Sequence, residues 1–187
     1  MSDAETLTTV GMIAGNGIYP ETFAREARKS GVEVIVAAAF ENETEPEINE
    51  IADEVEWFRV GQLGKMISFF KAHHVEKAVM VGQIAPKNLF DLRPDIRTLK
   101  LLGRVKERNA ESLFGAIGEE LAKDEIELIS AITFLDDLLP GAGHVCGPKL
   151  SDRQEEDAAY GFRIAKETSR LDIGQTVVVK KGTVLAV

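Results

Sequence analysis

The stretch TTVGMIAGNGIYP, residues 8–20, decides the fold of this chain. A mostly apolar run leads directly into Gly15-Asn16-Gly17, and Pro20 then opens a pattern typical of a helix that extends to about residue 30. The stretch therefore predicts a β-strand, a glycine turn and an α-helix in succession.

The same pattern repeats further along the chain. Residues 32–40 (VEVIVAAAF) are apolar almost throughout, as expected for a strand of a parallel sheet that helices cover on both faces. Residues 55–60 form a third predicted strand, followed by a glycine turn at 61–65 and a helix to residue 73 or 74. The remaining predictions are a strand at 77–81, helices near 96–106 and 111–123, and a strand at 126–131. This alternation predicts an α/β fold, a Rossmann-like mostly parallel sheet with helices on both faces, built from right-handed βαβ units.

A segment rich in glycine and proline separates this region from a shorter one. We place a linker at 139–150, because PGAGHVCGP breaks any continuing helix or strand. Beyond it the sequence predicts a helix from Ser151 to about residue 170 and a hairpin from the β-rich runs at 176–179 and 183–187. The predicted domains are thus 1–138 and the beginning of a second, α+β domain at 151–187. Because that hairpin ends in an apolar run, we expect residues beyond Val187, or another chain, to cover it.

Composition restricts the class of protein. With 31 acidic and 22 basic residues the formal net charge is −9, so the basic face of a nucleic-acid-binding protein is not expected. Cys146 is the one cysteine, which excludes an intrachain disulfide and fits a reducing compartment. The polar N-terminus lacks the features of a signal peptide, and no apolar run approaches the ~18 residues of a membrane span. The sequence therefore predicts a cytoplasmic protein.

Two glycine loops follow predicted strands, where open α/β sheets bind ligands. The first, Gly15, Asn16 and Gly17, resembles a dinucleotide-binding loop but lacks its full glycine spacing, so a simple tight turn remains an equal alternative. The second adds Gln62 and Lys65, an amide and a cation suited to a sugar hydroxyl or a phosphate. The alternative for Lys65 is a solvated lysine at a helix start.

A third, polar loop follows the strand at 77–81. It begins at Gln83 and brings Lys87, Asp91, Arg93 and Asp95 together. Carboxylates can bind Mg²⁺ while lysine and arginine neutralise phosphate charge, a combination suited to phosphoryl chemistry. An internal salt-bridged loop is the competing interpretation.

Several motifs in order resemble a known family. They are GMIAGNGIYP at 11–20, VGQLGKMI at 60–67, VMVGQI at 79–84, DLRPD at 91–95 and LDIGQTVVVKKGTVLAV at 171–187. On these motifs the chain resembles, from about Val10 to Val187, the bacterial UDP-2,3-diacylglucosamine pyrophosphatases. These metal-dependent enzymes release lipid X and UMP in lipid A assembly. The resemblance implies a Rossmann-like domain joined to a distinct C-terminal domain, with the acyl-lipid substrate between them, Mg²⁺, a homodimer and peripheral contact with the inner membrane.

The chain departs from the family pattern in two places. Family members continue past the position of Val187, and the aspartate central to hydrolysis is expected in that continuation. The family also often has paired aspartates where this chain has Asn109-Ala110-Glu111. We therefore expect a C-terminally truncated or gene-split member that keeps most of the binding half.

Three functions follow as hypotheses. The first is hydrolysis of the pyrophosphate bond of UDP-2,3-diacylglucosamine, with Lys65, Lys87 and Arg93 offsetting the developing charge. The second is a non-catalytic nucleotide-sugar-binding fragment. The third, a Rossmann oxidoreductase, is disfavoured because the glycine spacing is wrong and Phe40-Glu41-Asn42 offers no clear ribose-binding acid.

Overall fold

The computed structural model describes residues 7–84, 94–105 and 110–187. The chain divides into two compact units, Met1–Leu139 and Pro140–Val187. In the first unit the helices and strands are β1 (Thr9–Ala14), α1 (Tyr19–Lys29), β2 (Val34–Phe40), α2 (Ile48–Ile51), β3 (Glu54–Phe58), α3 (Leu63–Ala72), β4 (Lys77–Val81), α4 (Ile96–Arg104), α5 (Ala110–Ala122) and β5 (Glu127–Leu128). In the second they are α6 (Asp152–Arg170), β6 (Val178–Lys180) and β7 (Thr183–Ala186).

The first unit is built on a parallel sheet with the strand order β3-β2-β1-β4-β5. Central β1 pairs with both neighbours, Met12 lying beside Ala37 of β2 and Val79 of β4. Strands that are buried on both faces need apolar side chains throughout, and β1 and β2 are buried along nearly their whole length. The predicted α/β fold is confirmed.

Separate apolar clusters lie on the two faces of the sheet. One gathers Phe58, Phe70 and Leu101 with other side chains of α3, α4 and α5. The other gathers Phe23 of α1 and Ile48 of α2 with the opposite side of β1 and β2. Helices therefore cover both faces, and burial of these side chains is the main stabilising contribution to this unit.

The structure differs from the predicted elements at two points. The strand predicted at 126–131 pairs only over Glu127–Leu128, although Ile129 N still donates to Ala78 O at 2.8 Å. The chain then turns, with Thr133 N bonded to Ser130 O at 3.0 Å, which ends the edge strand. No helix or strand was predicted for the acidic segment near residue 48. It contains the short helix α2, because Ile48 is 2% exposed and packs into the core.

The second unit joins one helix to one hairpin. Ser151 is the N-cap of helix α6, and its backbone N–H donates to Gln154 Oε1 at 2.9 Å. The hairpin turn has Lys181 and Gly182 at positive φ, and their N–H groups donate to the two carboxylate oxygens of Asp157 at 2.7 and 2.6 Å. Asp157 thus ties the turn to the helix, a contact that sequence patterns did not indicate. No helix among the described residues is long and apolar enough to cross a membrane.

A buried acid joins the helices on one face of the sheet. The carboxylate of Glu120 in α5 accepts from Lys123, from Arg97 Nε at 3.0 Å and from Arg104, both arginines belonging to α4. Arg97 also contacts Asp124 at 2.6 Å. The hydrogen bond from Lys123 and those from the two arginines outweigh the effect of burial, and they lower the pKa of Glu120 from 4.5 to about 2.

This ion cluster predicts a pH-dependent contribution to stability. Because the folded-state pKa is depressed, the contribution of Glu120 is fully present above pH 4.5 and is lost as the pH falls toward 2. Urea unfolding should show Glu120→Gln less stable than the unaltered chain by about 2 kcal/mol at pH 7, with the gap closing toward pH 2. The exposed neighbour Glu119→Gln is the control and should leave stability nearly unchanged. An equal gap at both pH values would contradict the ion cluster.

Candidate functional site

The loops that leave β1 and β4 are joined at the carboxyl edge of the sheet. Asn16 N donates to Gln83 O at 2.7 Å, and Gln83 N donates back to Asn16 O at 3.0 Å, an isolated antiparallel bridge. Gly15 N donates to Val81 O at 2.8 Å. In the strand order 3-2-1-4-5 the chain leaves β1 and β4 in opposite directions, and ligands bind such a switch point in open α/β sheets. The structure thus brings two of the predicted loops together there.

Glycines are required for this close approach. A Cβ on Gly15 would lie 2.7 Å from the backbone N and O of Gln83, and one on Gly82 would lie 2.8 Å from Asn16 O. Gly82 also has φ +89°, a conformation that side chains rarely adopt. The glycines therefore serve backbone pairing, which the spacing of a dinucleotide motif did not reveal.

The beginning of α1 is open to a ligand. Gly17 has φ +95°, and a Cβ there would meet nothing within 4 Å. The N-cap residue Ile18 makes no side-chain capping hydrogen bond, Pro20 lies in the first turn, and Ile18 is 76% exposed. The first amides of a helix lack partners within it and lie at the positive end of its dipole. This end of α1, next to the Asn16–Gln83 bridge, is therefore suited to an anionic group.

Sequence analysis missed two residues at the edge of this site, Thr44 and Glu45. Thr44 is buried, and its hydroxyl donates to Ala14 O at 2.5 Å while accepting from Phe40 N at 2.8 Å. Glu45 Oε1 accepts from Asn16 Nδ2 at 3.1 Å. Both lie in a segment for which no helix, strand or site was predicted, and the pairing of β1 with β2 brings that segment beside the glycine loop.

The loop at 61–65 lies elsewhere on the same edge, since β2 separates β3 from β1. Gln62 Oε1 accepts from Arg59 N at 2.9 Å, which closes the turn before α3. Lys65 is exposed in the first turn of α3 and lines an open groove of about 950 Å³ between α3 and α4. The binding roles predicted for Gln62 and Lys65 stay predictions.

Asp95 has a structural position at the start of α4. Its carboxylate accepts from Thr98 N at 2.8 Å and from Gly64 N at 2.6 Å, so it caps α4 and ties that helix to α3. Burial raises the pKa of Asp95, but hydrogen bonds from Thr98 and from the amides of Gly64 and Lys65 outweigh it and lower the pKa below 3.8. A metal ion at Asp95 would compete with these donors.

The metal site predicted from the sequence lies only partly within the described residues. Asp91, together with Lys87 and Arg93, lies outside the described residues. Within 7–84, 94–105 and 110–187, no three His, Cys, Asp or Glu side chains group as metal ligands. The assignments of Asp91 and Asp95 as metal ligands stay predictions.

The fold and the bridged loops define a Rossmann-like α/β domain whose switch point is the candidate ligand site, followed by a small second unit. Residues 9–138 match the model of the LpxI N-terminal domain, and residues 141–187 match that of the LpxI C-terminal domain. The chain belongs to the LpxI family. A relative, the UDP-2,3-diacylglucosamine pyrophosphatase LpxI of Caulobacter vibrioides, is 25% identical over 183 residues, which cover 95% of this chain. The match spans 64% of that relative's length.

The close approach at Gly15 predicts a specific sensitivity to substitution. Gly15→Ala should destabilise the chain by about 1–3 kcal/mol in urea unfolding, because its Cβ would push the Gln83 backbone away. Gly103→Ala in α4 is the matched control, since nothing lies within 4 Å of its added Cβ, and it should stabilise by about 0.5–1 kcal/mol. Equal effects of the two substitutions would argue against the bridge.

Proposed function

We propose that the switch point, where the loops after β1 and β4 meet, binds the UDP part of UDP-2,3-diacylglucosamine, and that the protein hydrolyses its pyrophosphate bond to give UMP and lipid X. The observation that carries the proposal is the Asn16–Gln83 bridge, which fixes the uncapped start of α1 at the carboxyl edge of the sheet in a member of the LpxI family. The name of the Caulobacter relative supports this substrate.

The residues of this chain would act through charge and position. In the reaction, water attacks one phosphorus and a new P–O bond forms. The bridging P–O bond breaks so that the leaving phosphate retains the electron pair, and the attacking water releases its proton to solvent or to the leaving phosphate. The amides at the start of α1 would orient a phosphate and offset its charge in a fixed geometry, without reorganisation during the reaction. Lys65, in the first turn of α3, would add a mobile cation that offsets phosphate charge. Mg²⁺, when bound, would neutralise further phosphate charge, and Asp91 and Asp95 are its proposed ligands.

We also propose that the protein is a homodimer, and that the lipid part of its substrate brings it into contact with the cytoplasmic side of the inner membrane. The second candidate function is a nucleotide-sugar binder without hydrolysis, which requires only the start of α1 and the Asn16–Gln83 bridge.

Direct assay separates the two functions. In calorimetry the purified chain should bind UDP. In a separate assay the chain is supplied with Mg²⁺ and UDP-2,3-diacylglucosamine, and the formation of UMP and lipid X is followed. Turnover supports the hydrolase, UDP binding without turnover supports the binder, and the absence of UDP binding contradicts both.

A variant tests the cation at the start of α3. Lys65→Ala should weaken UDP binding about three- to tenfold, because one solvent-exposed charge contact is lost. Lys149→Ala is the matched control, an exposed lysine in the segment that follows the first unit. Equal affinities of both variants and the unaltered chain would remove Lys65 from the site.

A further inference from the structure

Glu45 is an exposed carboxylate that the chain holds beside the glycine loop. Its Oε1 accepts from Asn16 Nδ2 at 3.1 Å, and Asn16 is itself fixed by the backbone bridge to Gln83. A side chain oriented by a partner on the neighbouring loop loses less rotamer freedom when a ligand arrives. The position of Glu45 is therefore set before any ligand binds.

The backbone on either side of Glu45 is also anchored. The preceding Thr44 is buried and bonds through its hydroxyl to Ala14 O and Phe40 N, the last residues of β1 and β2. The following Pro46 accepts from Asn49 Nδ2 at 2.8 Å, which ties the loop to α2. An exposed acid on so firmly anchored a loop is a stronger candidate for ligand contact than an acid on a free surface turn.

The location selects the kind of ligand group. Glu45 follows β2, the strand next to β1, and in nucleotide-binding folds of this class an acid beyond β2 accepts hydrogen bonds from ribose hydroxyls. A carboxylate accepts only, so it fits hydroxyl donors and repels phosphate. We propose that Glu45 binds the ribose diol of a ribonucleoside diphosphate whose phosphates lie at the start of α1. This inference rests on the nucleotide binding proposed above.

The test compares ribonucleotides that differ by one hydroxyl group. Calorimetry would measure the binding of UDP, 2′-deoxy-UDP and 3′-deoxy-UDP to the unaltered chain, to Glu45→Ala and to Glu47→Ala. Glu47 is the matched control, an exposed acid two residues away, whose removal changes the net charge equally. Thermal unfolding would confirm that all three proteins are folded.

The unaltered chain should bind UDP about tenfold more tightly than at least one deoxy analogue, the effect of one hydrogen bond to a charged group. Glu45→Ala should bind UDP about tenfold more weakly and lose the discrimination, while Glu47→Ala keeps it. An unaltered chain that binds UDP and the analogues equally, or a Glu45→Ala variant that keeps the discrimination or gains affinity for UDP, would overturn the assignment of Glu45 alone. Absence of UDP binding to the unaltered chain would overturn it together with the proposed function.

Discussion

The arrangement of the candidate site depends on the hydrogen bonds that hold the peptide groups of Ala14 to Asn16. Gly15 N donates to β4, Ala14 O accepts from Thr44 beyond β2, and both backbone groups of Asn16 pair with Gln83. The end of β1 is thus bonded on both sides, beyond the last residue of the regular ladder. Because the backbone polar groups are satisfied there, the chain can turn sharply into α1 and leave the first amides of the helix for a ligand.

On the face of the sheet that α3, α4 and α5 cover, ion pairs connect the helices to one another. Glu120 accepts from Arg97 and Arg104, and Arg97 continues to Asp124, so that ion pairs connect α4 with the end of α5 and, through Lys71, with α3. A buried carboxylate without such partners would be strongly destabilising, whereas with them it fixes the relative positions of the helices. Arg97 also lines the groove of about 950 Å³ between α3 and α4 that contains Lys65, so the ion pairs extend to the wall of that groove.

The sequence predicted the sheet well because the signal there is local. The apolar run at β2 and the strand, glycine turn and helix pattern at β1 follow from burial on both faces, and β4 occupies its predicted residues, 77–81. The ends of β5 and the presence of α2 were harder to predict. An edge strand ends where its pairing with its neighbour ends, and α2 depends on the burial of Ile48 in the core. The sequence singled out the loops 15–17 and 82–83, which the structure joins through the Asn16–Gln83 bridge, but it did not single out Thr44 and Glu45. Their roles depend on pairing between residues about thirty positions apart, which no periodicity records.

An acidic protein that binds an anionic ligand must do so with local groups. At a net charge of −9 the overall field of the chain repels a nucleotide diphosphate, so long-range attraction gives no help to association. Backbone amides at a helix start act over a few ångströms and do not depend on the net charge of the chain. They can therefore bind phosphate in an acidic protein. The acidic loop after β2 would be unfavourable beside a phosphate but suits neutral hydroxyl donors. In the proposed binding mode, phosphates at α1 and ribose hydroxyls at Glu45 would orient a ribonucleotide in one direction along the sheet edge, with its distal phosphate away from the acidic loop.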